Sequence, residues 1–194
     1  MKNIIQALGR VYLRFIARQA RPIMIYYRKN FQGKKYANIR ISSSTVLGNK
    51  EHLILHKNVY IGHFNRLDAS NGIEIAEGVQ LAGYCSIVTH SSHQAIRLYG
   101  DKYQETKDHI GYHKGGVFIG KYTFVGPHSF IMPNTRIGKG CLIKAYSYVK
   151  GDFPDFSIIS GNPATVVGNT RDKDEKTLKE NPELYAFYND WAKE

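Results

Sequence analysis

Between Val117 and Gly151 the sequence places an aliphatic residue at every sixth position. The residues that share this spacing are Ile119, Val125, Ile131, Ile137, Ile143 and Val149. A period of six fits neither the 3.6-residue turn of an α-helix nor the two-residue alternation of a β-strand. It fits a coil with three short faces and about 18 residues per turn, in which each face points one aliphatic side chain at a narrow axis. The sequence therefore predicts a mainly β fold, wound as a parallel β-helix.

The same spacing begins earlier in the chain and slips twice by two residues. Its members are Ile41, Leu47, Leu53, Leu55, Ile61, Leu67, Ile73, Ile75, Leu81 and Ile87. We interpret the slips as adjustments at corners of the coil. The spacing then stops over residues 88–116, which we expect to protrude as one long loop. Long excursions from a regular fold usually carry function.

The positive charge is concentrated in the first residues of the sequence. Residues 1–40 hold ten Lys or Arg and no Asp or Glu, whereas the rest holds 17 basic and 16 acidic residues. Residues 3–20 fit an amphipathic helix with a row of arginines. Such a helix can lie on an anionic membrane surface through residues 1–30, or it can cap the open end of the coil. A charge run without a reading motif does not indicate nucleic-acid binding.

These patterns divide the chain into three parts. We predict a basic N-terminal helical segment (1–40), a β-helix (41–168) and a C-terminal helix (169–194) interrupted by Pro182. No apolar run reaches the ~20 residues of a membrane span, and no signal peptide is recognisable. We therefore expect a cytoplasmic protein. The basic helix could in addition attach it peripherally to the inner face of the membrane. Cys85 and Cys141 are expected to be buried thiols.

Several motifs together resemble the hexapeptide-repeat O-acetyltransferases, the group of galactoside, maltose and bacterial polysaccharide acetyltransferases. The resemblance spans about residues 40–168. It implies a left-handed β-helix, a homotrimer with active sites between subunits, and transfer of acetyl from acetyl-CoA to a sugar hydroxyl of a surface polysaccharide or its precursor. The motifs are the six-residue repeat, the loop that begins at Thr89-His90, the turn Asp152-Phe153-Pro154 and the ending Gly161-Asn162-Pro163-Ala164.

The resemblance places the catalytic histidine of the family at His90. A sugar hydroxyl has a pKa far above 7, so its attack needs a base, and an imidazole can take the proton and hand it on to the leaving thiolate. His93 is the alternative base and a candidate acceptor contact. The resemblance also implies that Asn65 and Asp68 hold the acceptor, whereas by residue type alone they are equally typical of coil corners.

The resemblance further implies a set of cofactor contacts. Phe124, Gly126 and Ala145 would lie along the pantetheine arm of acetyl-CoA, with Lys150 and Arg171 as candidates for its phosphates. The sequence departs from the family in two places: Lys150 stands one residue early before the Asp-x-Pro turn, and Thr165 follows Pro163-Ala164 where relatives usually carry a basic residue.

Four other functions compete with this interpretation. Carbonic anhydrases of this fold bind zinc through three histidines across a subunit interface, but they need a His-x4-His pair that does not follow His90, so we expect no metal. A non-catalytic scaffold would make His90 dispensable. Nucleotide-sugar N-acyltransferases and serine acetyltransferases are alternative enzymes, for which the sequence shows neither an added sugar-nucleotide domain nor a long helical N-terminal domain.

Overall fold

The computed structural model describes residues 9, 11, 12 and 21–193. Gly9, Val11 and Tyr12 are helical and exposed, and the rest of the predicted helix at 3–20 lies outside the described residues. The prediction that the whole of 1–40 is helical is wrong for its second half, where β1 (Met24–Lys29) and β2 (Lys35–Ser42) form an antiparallel hairpin. The run Met-Ile-Tyr-Tyr favours a strand, and Gly33 takes the positive φ that the turn requires.

The rest of the chain up to residue 169 forms the predicted left-handed β-helix, whose three faces we call A, B and C. Face A contains β2, β5 (Tyr60–Ile61), β8 (Gln80–Leu81), β13 (Phe124–Val125), β16 (Leu142–Ile143) and β19 (Ser157–Gly161). Face B contains β3 (Val46–Gly48), β6 (Arg66–Asp68), β9 (Ser86–Val88), β14 (Phe130–Ile131) and β17 (Tyr148–Val149). Face C contains β4 (Leu53–Leu55), β7 (Ile73–Ile75), β12 (Val117–Ile119), β15 (Thr135–Ile137) and β18 (Asp152–Phe153).

The two slips in the sequence period reflect a change in the length of the turn. In the early coils Ile41 pairs with Ile61, 20 residues on, whereas in the late coils Val125 pairs with Ile143, 18 residues on. The two extra residues lie at the corner between faces B and C. The interpretation of the slips as corner adjustments is therefore confirmed, and the aliphatic residues of both registers are buried along the axis.

The hairpin closes one end of the coil. Phe31, in its turn, packs against the core, and the Gln32 side-chain amide donates hydrogen bonds of 3.1 Å to the carbonyl oxygens of Glu51 and Leu53. These carbonyls would otherwise face solvent at the end of the stack. The hairpin thus caps this end of the coil, a role that the sequence analysis gave as one alternative for the N-terminal helix.

At the other end, β20 (Ala164–Asn169) pairs antiparallel with β19 and leads into α2 (Thr170–Glu180) and α3 (Tyr185–Ala192). A 3-10 turn that begins at Pro182 separates these two helices, as the sequence predicts. Within residues 88–116 the structure forms β10 (His90–Ser91), α1 (Ala95–Tyr99) and β11 (His113–Lys114). No helix among the described residues is both long enough and apolar enough to cross a bilayer.

Candidate active site

The excursion at 88–116 leaves the coil at the corner between faces B and C. It departs after β9 and returns at β12, and its base is closed by the antiparallel pair β10–β11, in which His90 lies opposite Lys114 and Ser91 opposite His113. The preceding coil passes the same corner through residues 68–72. Side chains of that corner therefore lie directly beside His90.

His90 is held through one ring nitrogen. Its Nδ1 lies 3.0 Å from Ser70 Oγ and 3.4 Å from Asp68 Oδ2. The ring of Tyr112 is parallel to the imidazole, with 5.8 Å between centroids. The side chain is 36% exposed, and Nε2 has no hydrogen-bond partner among the described residues. The nitrogen that faces the protein is thus Nδ1, and Nε2 is free for a ligand.

Asp68, predicted as an acceptor contact, is instead brought against the imidazole. Its carboxylate is 16% exposed, and Oδ1 also accepts a 3.1 Å hydrogen bond from the backbone N–H of Ser70. The carboxylate therefore lies beside the same ring nitrogen that Ser70 contacts. The geometry therefore gives Asp68 a role toward His90.

Asn65, predicted to hold the acceptor, is buried in the coil. It is 1% exposed, its amide nitrogen donates to the carbonyls of Gly62 and Ala82, and its Oδ1 accepts from the backbone N–H of Cys85 at 2.6 Å. All of its hydrogen-bonding groups that face the coil are used within the coil. Asn65 joins successive turns at the corner between faces A and B.

His93 lies on the outside of the excursion. Its Nδ1 is 2.8 Å from Ser91 Oγ, and its ring stacks on His113 with 4.9 Å between centroids. His113 Nε2 is in turn 3.0 Å from Gln94 Oε1. His93 thus contacts the exposed side of the excursion and no partner that it shares with His90.

A pocket of about 320 Å³ opens beside His90. Asp108, His109, Tyr112 and Lys114 line it, and two of these contact or pair with His90. Burial raises the pKa of Tyr112, and the nearby Tyr103 and Asp68 add to the effect, so its phenol stays protonated at neutral pH. The pocket therefore offers an aromatic face, one cation, one carboxylate and a hydroxyl donor.

The predicted cofactor residues are distributed over three corners of the coil. Phe124 and Ala145 are exposed on face A and at the adjoining corner with face B, and Lys150 is exposed at the corner between B and C, two coils beyond His90. Arg171 stacks its guanidinium on Phe156 at 3.9 Å, at the corner between C and A. Residues so placed cannot line one groove of a single chain.

Gly126, also predicted as a cofactor contact, lies between two coils. It is buried, its N–H donates to Ile143 O at 2.8 Å, and its carbonyl accepts from the Cys85 thiol at 3.3 Å. A Cβ at this position would lie 2.6 Å from Ala145 N. Glycine is therefore required here for contact between coils.

A groove of about 590 Å³ runs along face C, next to the excursion. It extends from Asn71, whose side chain donates to Thr89 O, across Phe118 to Arg136 and Asp152. The Arg136 guanidinium lies 4.4 Å from the Phe118 ring centre. The groove thus connects the corner that holds His90 with a cation two strands further along the coil.

The sequence analysis did not identify four residues of this site, which are Ser70, Asn71, Tyr112 and Lys114. A signal for Ser70 was present. Once the early turns are assigned 20 residues, position 70 falls next to position 90, just as Asn65 falls next to Cys85. Tyr112 and Lys114 return from an aperiodic loop and had no such signal.

The described residues contain no group of three or more His, Cys, Asp or Glu side chains arranged to hold a metal ion. His109 Nε2 is 2.6 Å from Tyr103 O, and its ring stacks on that of Tyr103 at 4.1 Å. His113 is bound to Gln94, as described above. His109 and His113 therefore have separate partners.

Comparison with known proteins gives consistent matches. Residues 116–151 match the family model of the bacterial transferase hexapeptide (six repeats). A probable acetyltransferase of Mycobacterium tuberculosis is 29% identical over 77% of this chain and 50% of its own length. The dTDP-4-amino-4,6-dideoxy-D-glucose acyltransferase of Escherichia coli is 28% identical over 70% of this chain and 81% of its own. The chain thus spans about half the length of the first of these relatives.

Among solved structures, AntD of Bacillus cereus superposes with a TM-score of 0.57 at 18% identity, over 74% of this chain and 86% of AntD. AntD is an N-acyltransferase crystallised with dTDP and 3-hydroxybutyryl-CoA. At this identity the likeness concerns the fold. Together with the match of residues 116–151 to the hexapeptide model, it bears out the left-handed β-helix predicted from the sequence, and the relatives named are acetyl- and acyltransferases, as the resemblance implied.

Proposed function

We propose that this protein transfers an acetyl group from acetyl-CoA to a hydroxyl of a sugar, with His90 as the general base. The observation that carries the proposal is the placement of His90, whose Nδ1 is bound by Ser70 and Asp68 while Nε2 has no partner among the described residues. A pocket of about 320 Å³ lies next to it, lined in part by its neighbours Tyr112 and Lys114. The relatives' names support acyl transfer, and one of them acts on a sugar nucleotide.

The chemistry follows from the free Nε2. It accepts the proton of the acceptor hydroxyl as the oxygen attacks the thioester carbonyl, and the C–O bond forms. The tetrahedral intermediate then collapses, the C–S bond breaks, and the imidazolium returns the proton to the CoA thiolate. The Asp68 carboxylate, 3.4 Å from Nδ1, stabilises the imidazolium that exists between these steps.

The base favours a hydroxyl over an amine as acceptor. A neutral amine carries its own lone pair and can attack before it loses a proton, whereas a hydroxyl must lose its proton as it attacks. A histidine backed by a carboxylate contributes most in the second case, where general bases supply ~10²–10⁴-fold. The polar partners of His90 therefore support an O-acetyltransferase.

We further infer that the acceptor binds in the pocket of Asp108, His109, Tyr112 and Lys114 and not at Asn65, which is 1% exposed. Its volume is at the lower end of the ~300–1,000 Å³ typical of small-molecule sites, which suits one sugar unit. The Tyr112 ring can pack against the apolar face of a sugar, and the charged groups can bind its hydroxyls. A surface polysaccharide or its precursor remains our proposal for the physiological acceptor.

The scatter of the cofactor residues over three corners supports a homotrimer in which one copy supplies His90 and a neighbour supplies Phe124 and Ala145. The groove on face C is a second path for acetyl-CoA. These two paths can be told apart by replacing one phenylalanine on the outer surface of each face, Phe124 on face A and the partly exposed Phe118 on face C. Phe124→Ala should weaken acetyl-CoA binding in calorimetry, with Phe118→Ala as the matched control; the reverse result would assign the cofactor to face C.

A second candidate is N-acylation of a nucleotide-linked amino sugar. It is favoured by the match to the dTDP-4-amino-4,6-dideoxy-D-glucose acyltransferase over 81% of that protein. The deciding experiment incubates the full-length protein with acetyl-CoA and two acceptor panels, neutral sugars and dTDP-amino sugars, and reads the release of free CoA. Turnover with neutral sugars supports our proposal, turnover confined to amino sugars supports the second candidate, and no acetyl-CoA binding at millimolar concentration supports a scaffold.

The position of the protein in the cell is a separate proposal. We propose a cytoplasmic protein that residues 1–30 attach to an anionic membrane surface. Co-sedimentation of full-length protein and of residues 31–194 with vesicles containing phosphatidylserine tests this. Equal pelleting of the two would assign the basic segment to capping.

A further inference from the structure

We propose that Ser70 and Thr89 are positioning residues that hold His90 in the tautomer with a proton on Nδ1, which leaves the Nε2 lone pair free to act as base. The inference rests on the proposed function only where it assigns Nε2 as the base. The tautomer itself is fixed by hydrogen bonds around Nδ1 and can be measured without any turnover.

The proton of the Thr89 hydroxyl has a single destination. Thr89 Oγ1 lies 2.8 Å from the backbone carbonyl oxygen of Asp68, which can only accept. The hydroxyl carries one hydrogen, so that hydrogen points to Asp68 O. Thr89 Oγ1 also accepts the backbone N–H of Asn71 at 2.9 Å, and one lone pair is left.

This assignment fixes the direction of the next bond. Ser70 Oγ lies 3.1 Å from Thr89 Oγ1. Since the Thr89 hydrogen is committed to Asp68 O, the contact can only be a hydrogen bond that Ser70 donates to Thr89. Ser70 Oγ then has no hydrogen for the imidazole 3.0 Å away and must accept from it. The Asn71 side-chain amide, at 3.3 Å, donates to the same oxygen.

The relay therefore runs from His90 Nδ1–H to Ser70, from Ser70 to Thr89, and from Thr89 to the Asp68 carbonyl. Thr89 is 0% exposed, so water does not compete for its bonds. If Ser70 were turned to donate to Nδ1, the proton would sit on Nε2 and His90 could not act as a base. In other histidine-based enzymes, a catalytic histidine in the wrong tautomer lowers kcat by up to ~10⁴-fold.

The test is nitrogen NMR of the His90 ring in protein labelled with ¹⁵N-histidine, at a pH where the ring is neutral. His90→Gln assigns the signals. We expect the wild type to show the Nδ1–H form. Ser70→Ala should give a mixture of the two forms and a fall in kcat of roughly tenfold with KM for acetyl-CoA unchanged, and Ser70→Thr should restore both.

Ser91→Ala is the matched control. It also removes a serine hydroxyl near His90, but this hydroxyl contacts His93 and not His90. It should leave the His90 signals unchanged. Thr89→Val and Thr89→Ser form a second pair of variants. Only Thr89→Val should raise the fraction of His90 in the Nε2–H form. The proposal is overturned if wild-type His90 carries its proton on Nε2, or if Ser70→Ala matches Ser91→Ala in tautomer.

Discussion

Asp68 Oδ2 and His90 Nδ1 lie 3.4 Å apart across the boundary between two coils, although 22 positions separate them in the chain. The carboxylate approaches Nδ1, which Ser70 also contacts, so it can act on the charge of the ring without occupying Nε2. Asp68 and His90 thus form a pair that neither coil could supply alone.

Replacing His90 by alanine should abolish most transfer. If His90 is the base, His90→Ala loses transfer by a factor on the order of 10² or more and binds acetyl-CoA as the wild type does. Initial rates and calorimetry measure the two quantities. His93→Ala is the control and should retain most activity, because His93 contacts Ser91 and His113. Full transfer by His90→Ala would remove this residue from the mechanism.

Asp68→Asn should lower kcat by about tenfold, because it removes the charge that stabilises the imidazolium between the two steps of transfer. Asparagine keeps the shape of the side chain and an oxygen that can accept from the backbone N–H of Ser70, so the loss reports the charge. Initial rates at saturating acetyl-CoA measure kcat. An unchanged kcat would mean that Asp68 does not act on His90.

Asn65→Ala should damage the fold and leave the chemistry intact. It removes three hydrogen bonds inside the coil and leaves the N–H of Cys85 without its partner, which should cost about 2–4 kcal/mol in the free energy of unfolding. Urea denaturation measures this, with Gln80→Ala, an exposed residue of face A, as the control. A raised acceptor KM at unchanged stability would restore Asn65 to the acceptor site.

Gly126→Ala should also act on stability. The added methyl group would meet Ala145 N at 2.6 Å and Ile143 O at 2.7 Å, and overpacking of this kind costs about 1–3 kcal/mol. Gly48→Ala is the control, because its nearest neighbour would lie at 3.8 Å, an ordinary contact. If Gly126→Ala weakened acetyl-CoA binding at full stability, the pantetheine contact predicted from the sequence would be correct after all.

The two cysteines should resist thiol reagents in the folded protein. Burial raises the pKa of the Cys85 thiol to about 11 and raises that of Cys141 in the same direction. The protonated thiol is therefore favoured by folding, and its contribution to stability is present below pH 9 and lost as the pH rises toward 11. Labelling should follow unfolding in urea at neutral pH, and rapid labelling of native protein would contradict the burial of both.

The sequence predicts the coil well because the aliphatic period encodes the axis directly. It locates the excursion, the position of His90 and the interruption at Pro182 for the same reason, since each breaks a regular pattern. It assigns a family role to Asn65 and Gly126 by resemblance, but it does not show that both residues lie in contacts between coils. It fails at the hairpin because ten basic residues suggested one surface helix and obscured the strand pattern at Met24–Lys29. The partners of His90 depend on which residues of successive turns are neighbours, and this becomes visible only when the early turns are known to hold 20 residues.

The antiparallel strands β1 and β20 lie at the two margins of face A, outside the six strands that run parallel. A further parallel turn cannot simply continue the stack past either strand, because the hydrogen-bonding geometry has been reversed there. Face A therefore has a defined length, and its margins do not offer the pattern by which identical coils would join end to end into fibres.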